Sequence, residues 1–296
     1  MKPFVGNGYR IAVPDDWVDL SVYAFRGPAE DDFAHALAVS TDAVVPEKSA
    51  RDYARRHLRV ARQSMPGAEV LIESQVAMGR LQAYRAEVRW YPAEGIRRYQ
   101  RTLHVLDQGA GFYLAATCTK KSRVTQGPTI DRMMATFRPG RAPGPGDPPE
   151  GSTVFRADRF SLWLHPGWSD ETIVTLAQPD ASRFRRTLAV MRSPLEARPG
   201  SIAAAGKVGI EKLKAQAPGF ALVEEGELPL RGGDPGYRAR FTRATAKGAT
   251  VAQEQLVAFR DGHLFTLTLT TEPEPPSRKQ RVLAEIIPSF EAYANG

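Results

Sequence analysis

The chain has 296 residues, of which 42% are hydrophobic and 25% charged, and its formal net charge is +7. This composition is that of a globular protein, the length suggests two domains, and no apolar run reaches the ~18 residues of a membrane span. The N-terminus lacks an apolar leader core, so residence in the cytoplasm without stable membrane insertion is expected. The arginines are scattered among Asp and Glu rather than clustered, which argues against a nucleic-acid partner.

In chain order, residues 8–13 read as a short strand stopped by Pro14 and Asp15-Asp16, because Pro removes a ladder donor and Asp favours turns. Trp17 and Asp19 follow, and the strand resumes at Leu20 to Arg26. Gly27-Pro-Ala-Glu-Asp-Asp predicts a loop, with another strand over 36–40. A helix opening at Pro46-Glu47 and running to Arg62 places Ala50, Tyr53, Ala54, Leu58 and Ala61 on one face. Arg51, Arg55, Arg59 and Arg62 fall on another face, which reads as a solvated exterior.

Pro66-Gly67 ends that section. A strand over 70–75 precedes Tyr84–Trp90, where Tyr84, Ala86, Val88 and Trp90 alternate with Arg85, Glu87 and Arg89. Strands over 97–106 and 112–119 complete a meander across a turn at Asp107–Gly111. Cys118, the single cysteine, sits in this apolar strand pattern and reads as a reduced, partly buried thiol rather than a nucleophile. A closing helix from near Pro128 presents Ile130, Met133, Met134 and Phe137. Residues 140–151, rich in Pro and Gly, form a semi-rigid linker.

Beyond the linker the order repeats. Phe160-Ser-Leu-Trp-Leu-His-Pro166-Gly-Trp168-Ser-Asp170 echoes the opening stretch, although the Pro-Asp-Asp-Trp spacing is lost. Ala36-Leu-Ala-Val returns as Thr187-Leu-Ala-Val, Pro66-Gly67 as Pro218-Gly219, and Tyr84-Arg-Ala as Tyr237-Arg-Ala. From there an offset of 153 holds without gaps, pairing Gln100 with Gln253, Leu103 with Leu256 and Phe112 with Phe265. It reaches the last helix, where Leu283, Ile286, Ile287 and Phe290 replace Ile130, Met133, Met134 and Phe137. The expected architecture is α+β: two tandem modules at 1–139 and 152–296, each an antiparallel sheet flanked by helices. The loops differ most, notably Asp31-Asp32-Phe33 against Arg183-Phe184-Arg185.

No catalytic constellation stands out. The histidines 35, 57, 104, 165 and 263 have no partner at a metal-ligand spacing, and no phosphate loop or nucleophile elbow occurs. Asp19 and Asp170 each follow a tryptophan by two residues and read as turn acceptors at the entry to a strand. No catalytic residue, metal ligand or cofactor is therefore assigned.

The opening Gly8-Tyr-Arg-Ile-Ala-Val-Pro-Asp-Asp-Trp17-Val-Asp19, the helix around Tyr53 and Leu58, the Gln100 strand and the closing Met-Met-Ala-Thr-Phe137 together resemble the DcrB-like family. Within it they look most like the Eag branch, the effector-associated chaperones of type VI secretion. The resemblance spans residues 4–139 and, more weakly, 153–293. It implies a PsbP-like fold, a curved antiparallel sheet flanked by helices. It also implies a chaperone that shields hydrophobic helical segments of a secreted effector before loading on the spike. Two fused copies would form a monomeric pseudo-dimer. On this reading the client would meet a sheet face around Gln100 and Gln253, with Leu103, Val105 and Leu256 beside them, and charging Leu103 or Val105 would test it. Gln100 also fits an ordinary exposed strand glutamine. Where the family tends to carry a glutamine in its first helix, this chain has Arg56 or His57. Two other readings stand beside this one: a non-catalytic scaffold or immunity protein binding a folded toxin, and an enzyme whose site carries no known motif.

Overall fold

In a computed structural model, the described residues are 1–30, 33–65, 67–92, 95–140, 150–179, 184–195, 200–231, 235–273 and 282–293. Asp31, Asp32, Pro66, Arg183 and linker residues 141–149 lie outside them. The chain divides into two compact units that do not follow the repeat boundaries. One comprises Val22–Thr172, and the other joins Met1–Ser21 to Ile173–Gly296. Each unit thus contains most of one copy and the N-terminal segment of the other. The fold is α+β with antiparallel sheets.

In the first-copy unit the strands lie in the order Glu69–Met78, Leu81–Trp90, Arg98–Asp107, Ala110–Thr119, Phe33–Asp42 and Val22–Glu30. The short Ser169–Asp170 strand of the second copy pairs with Val22–Glu30. In the second-copy unit the order is Ala221–Pro229, Pro235–Ala244, Thr250–Arg260, His263–Thr271, Thr187–Pro194 and Ile173–Ala177. There, Val18–Asp19 of the first copy pairs with Ile173–Ala177. Both Glu69–Met78 and Ala221–Pro229 carry a bulge at matching places, after Val70 and after Leu222.

One face of each sheet holds the main core, and the exchanged segment plugs it. The hairpin Thr153–Arg156 and Phe160–Leu164 brings Phe160 to 4.8 Å from the Tyr23 ring and 5.4 Å from that of Phe137. Phe155 packs edge-on against Phe25 at 4.7 Å. The equivalent hairpin, Lys2–Gly6 and Tyr9–Val13, sets Tyr9 at 6.0 Å from Phe265 and 5.9 Å from Phe290. Ile130, Met133, Met134 and Phe137 are buried in one unit, and Leu283, Ile286, Ile287 and Phe290 in the other, as the repeat predicts. Burial of such rings is the main favourable contribution to each core.

The same turn opens both copies despite the altered proline spacing. Trp17 N–H donates to the Pro14 carbonyl and Trp168 N–H to that of His165, both at 3.1 Å. In the second copy Pro166 takes the second position of the turn, which its fixed φ suits, and Gly167, at a positive φ of 82°, takes the third. Asp19 Oδ1 accepts the Ser21 N–H at 2.9 Å, and Asp170 Oδ1 accepts the Thr172 N–H at 3.0 Å, so both aspartates are turn acceptors. The crossing is reciprocal: Thr175 N–H donates to the Ser21 hydroxyl at 2.9 Å, and Ala24 N–H to that of Thr172 at 3.1 Å.

Two boundaries differ from the sequence reading. The helix starts at Ala50 rather than Pro46, because Ser49 is the N-cap and accepts the Asp52 N–H at 3.1 Å. Its buried face is Ala50, Tyr53, Ala54, Leu58 and Ala61, as expected. The Gly27-Pro28 segment is not a loop; Val22–Glu30 continues through it with a bulge between Arg26 and Ala29. Gly27 is required there, since a Cβ would meet the Trp168 indole at 2.7 Å.

The alternation over Tyr84–Trp90 also hides a buried charge. Glu87 is 1% exposed, with Arg101 at 3.3 Å and Arg123 at 2.5 Å, and Arg101 reaches Asp131 at 2.9 Å. Across the repeat the Glu87–Arg101 pair becomes Arg240 opposite Glu254, with the charges reversed. Removing one member of a buried pair leaves the others uncompensated. Glu87→Ala is therefore expected to cost about 3–5 kcal/mol in chemical denaturation. A loss below about 1 kcal/mol, the scale of an exposed pair, would show that the cluster does not hold this unit.

Candidate functional site

The second face of each sheet is only partly covered. Helix Ala50–Ser64 lies over Tyr84, Ala86 and Val88, and helix Ile202–Gln216 lies over Tyr237, Ala239, Phe241 and Val257. The second helix comes so close that a Cβ on Gly206 would meet the Tyr237 ring at 2.0 Å. Beyond the helices, strand register defines rows of mainly small side chains. In the first-copy unit these are Gln100–Thr117–Ala36–Arg26, then Ala115–Ala38–Ala24, then Ser40–Val22, whose neighbour Tyr113 lies under the helix. In the second-copy unit the same rows read Gln253–Thr270–Thr187, Thr268–Ala189–Thr175 and Thr266–Met191–Ile173. Val22 is 55% exposed and Ile173 52%, at equivalent positions.

The residues expected to form one client-binding group fall on two faces. Gln100 and Gln253 lie on the partly open face, whereas Leu103, Val105 and Leu256 are core residues, 5%, 0% and 0% exposed. The cause is the two-residue period of a strand, which sends positions 100 and 103 to opposite sides. Charging Leu103 or Val105 would therefore unfold the unit rather than test a surface. The side chains that do floor the open face, such as Val22, Ala24, Ala38, Ile173 and Met191, are not singled out by any sequence motif. Parity from Gln100 through the paired strands would have found them.

The two glutamines differ. Gln100 Oε1 accepts the Tyr113 hydroxyl at 3.2 Å, and among the described residues its NH2 has no protein acceptor. Gln253 is engaged at both ends: Nε2 donates to the Thr270 hydroxyl at 2.9 Å, and Oε1 accepts Arg243 Nε at 2.6 Å. Gln100 thus keeps both amide N–H donors available, whereas Gln253 has one of its two committed to Thr270.

Under helix Ala50–Ser64, His57 stacks on Tyr113 at 4.4 Å and the His104 ring lies 5.0 Å from Tyr113. His104 Nδ1 donates to the Tyr84 carbonyl at 3.2 Å. Burial, reinforced by nearby His57, lowers the His104 pKa to about 3, and burial and the Arg56 guanidinium lower that of His57. Both rings are neutral near neutral pH. Burial also raises the Cys118 thiol to about 11, so the sulfur is held protonated. Cavities of about 430 and 410 Å³ exist, the first lined by residues including Lys48, Arg80 and Asp107 and the second by Arg55, Arg59, Arg62 and Glu73. Neither sets a nucleophile beside a base. No helix among the described residues is long and apolar enough to cross a membrane.

The histidines make the first-copy unit sensitive to acid. An unfolded His104 takes up a proton below about 6.5, while the folded one does so only near about 3. Its contribution to stability is complete above the unfolded value and is lost as pH falls through that window. His104→Val, which introduces the residue present at position 257, is expected to flatten the stability–pH curve by about 1 kcal/mol per pH unit between about pH 6 and 4. Urea denaturation at several pH values measures this, and equal slopes for both proteins would contradict it.

Among curated proteins nothing matches. The apo immunity protein TplEi of the T6SS (type VI secretion system) of Pseudomonas aeruginosa is similar in structure, with a TM-score of 0.54 at 13% identity, over 98% of this chain and 96% of that one. A crystal structure of a Tle4–Tli4 complex gives the same values. TplEi bound to an "L" peptide gives a TM-score of 0.50 at 12% identity, covering 98% and 97%. At such identities the likeness is one of fold, and it runs through both copies. The DcrB family model matches twice, over residues 10–136 and 161–289, so the chain belongs to the DcrB family and carries two copies of it in tandem.

Proposed function

We propose that this chain is a non-catalytic protein of type VI secretion that binds a folded partner, in the manner of an immunity protein. The observation that carries this reading is the fold likeness to the T6SS immunity protein TplEi across both modules, at a TM-score of 0.54 over 98% of the chain. The partly open sheet faces support it, since strand-borne rows of small residues offer a rigid surface with little side-chain entropy to lose. A second reading, a chaperone for hydrophobic helices of an effector, is favoured by one feature. Ala24, Ala36, Ala38 and Thr117 beside the free donors of Gln100 would let a helix approach the sheet closely.

If a type VI effector is encoded beside its gene, co-expression with that effector separates the two. The immunity reading predicts a stable complex with the effector's folded soluble domain and protection of cells that produce it. Capture of only the apolar N-terminal helices would select the chaperone reading instead, and capture of neither would reject both. Val22→Glu combined with Ala38→Glu, on the open face, is expected to abolish capture while leaving the circular dichroism spectrum unchanged. Undiminished capture by that folded variant would place the contact elsewhere.

A further inference from the structure

The arginine flank of helix Ala50–Ser64 has a structural neighbour that the sequence does not show. Arg51, Arg55, Arg59 and Arg62 are all exposed. Arg55 makes only a loose pair with Asp52 at 3.9 Å, and among the described residues Arg51, Arg59 and Arg62 have no acidic partner. The equivalent positions in helix Ile202–Gln216 are Ala203, Lys207, Glu211 and Lys214, and the last two pair with each other at 3.9 Å. The unneutralised flank therefore belongs to the first copy.

That flank overhangs a sheet edge. Arg55, Leu58, Arg59, Arg62 and Gln63 line a cavity of about 410 Å³ whose other wall is Glu73 of strand Glu69–Met78. Among the described residues the sheet ends at this strand, which pairs with Leu81–Trp90 along one side only. Residues 72–75 of it are exposed. Glu73 and Gln75 lie opposite Ala86 and Tyr84, on the face that the helix covers. A strand added beyond this edge would point alternate side chains the same way, beneath the guanidinium groups.

We infer that this edge receives an extended, acidic segment of a protein partner. It adds as a further strand to Glu69–Met78 and presents carboxylates at alternate positions to Arg55, Arg59 and Arg62. Main-chain hydrogen bonds supply affinity in such strand addition, and side-chain pairing supplies specificity. Arginine suits the role because its fork can take a carboxylate through two parallel hydrogen bonds. Glu73, in the same cavity, lowers the local charge but leaves it positive. The inference builds on the partner-binding reading by naming the partner's chemistry, and its test needs no effector, so the two can fail separately.

A short labelled peptide with glutamate at alternate positions and threonine between is the probe, read by fluorescence anisotropy at low salt. Binding is expected, and the triple variant Arg55→Glu, Arg59→Glu, Arg62→Glu should weaken it about tenfold or more. These side chains are exposed, so circular dichroism should show the variant folded; if it is not, the corresponding glutamine variant is used. A peptide of the same sequence with alternate backbone amides methylated keeps its charges but cannot complete a ladder, and should not bind. The proposal is overturned if the glutamate peptide fails to bind, or if a lysine version binds as tightly. Insensitivity to charge reversal or to amide methylation overturns it equally.

Discussion

The aromatic plug of each unit comes from the other copy of the repeat, and most of the architecture depends on that exchange. Phe160 fills the space beside Tyr23 and Phe137, and Tyr9 the equivalent space beside Phe265 and Phe290. Without these rings the core face of each sheet would lie open next to its closing helical segment. The turns at Trp17 and Trp168 close the exchanged segments, and within each unit a hydroxyl at the segment's end, Ser21 or Thr172, accepts an N–H from the copy that it joins. A duplicated gene product thus gains a mutual dependence that two independent domains would lack. Removing large buried aromatics costs about 3–5 kcal/mol each, so neither unit is expected to tolerate loss of the foreign segment.

With the core face plugged in this way, the helix face is the one left partly uncovered in each unit. One helix per unit covers roughly the half of the sheet nearest its outer strand, and the remaining strands carry mainly Ala, Thr and Ser, with Val22, Arg26, Ile173 and Met191 among them. Leaving those positions uncovered accepts a lower apolar burial than a second covering helix would give. The cost is consistent with a surface kept for a partner. The units are also not equivalent: Gln100 retains free donors while Gln253 is tied to Arg243 and Thr270. The exposed arginines of the first helix have only a lysine- and glutamate-bearing counterpart in the second. Divergence of surfaces over matched cores suits a chain whose two modules do different parts of one binding task.

Much of the fold was legible in the residues because periodicity and duplication report the same elements twice. Helix Ala50–Ser64 shows its buried face at three-and-four spacing, and the closing segments correspond residue for residue. Three things were not legible. Tyr9 is chemically suited to either Phe265 and Phe290 or their counterparts Phe112 and Phe137, so no local pattern could reveal which copy it joins. Gly27-Pro28 has turn chemistry, yet it runs on as strand because Trp168, from the other copy, packs on the glycine. Glu87 alternates with apolar residues as a solvent-facing acid would, and its burial arises from Arg101 and Arg123, the latter on a helical segment far along the chain. The grouping of Gln100 with Leu103 and Val105 is different in kind, since strand parity alone separates them.

The exchange of N-terminal segments can be tested by photocrosslinking from position 9. A benzoylphenylalanine placed there should link to peptides containing Phe265 or Phe290, in the second copy. Linkage to peptides containing Phe112 or Phe137, the equivalent residues of its own copy, would contradict the exchange and with it the division of the chain into these two units.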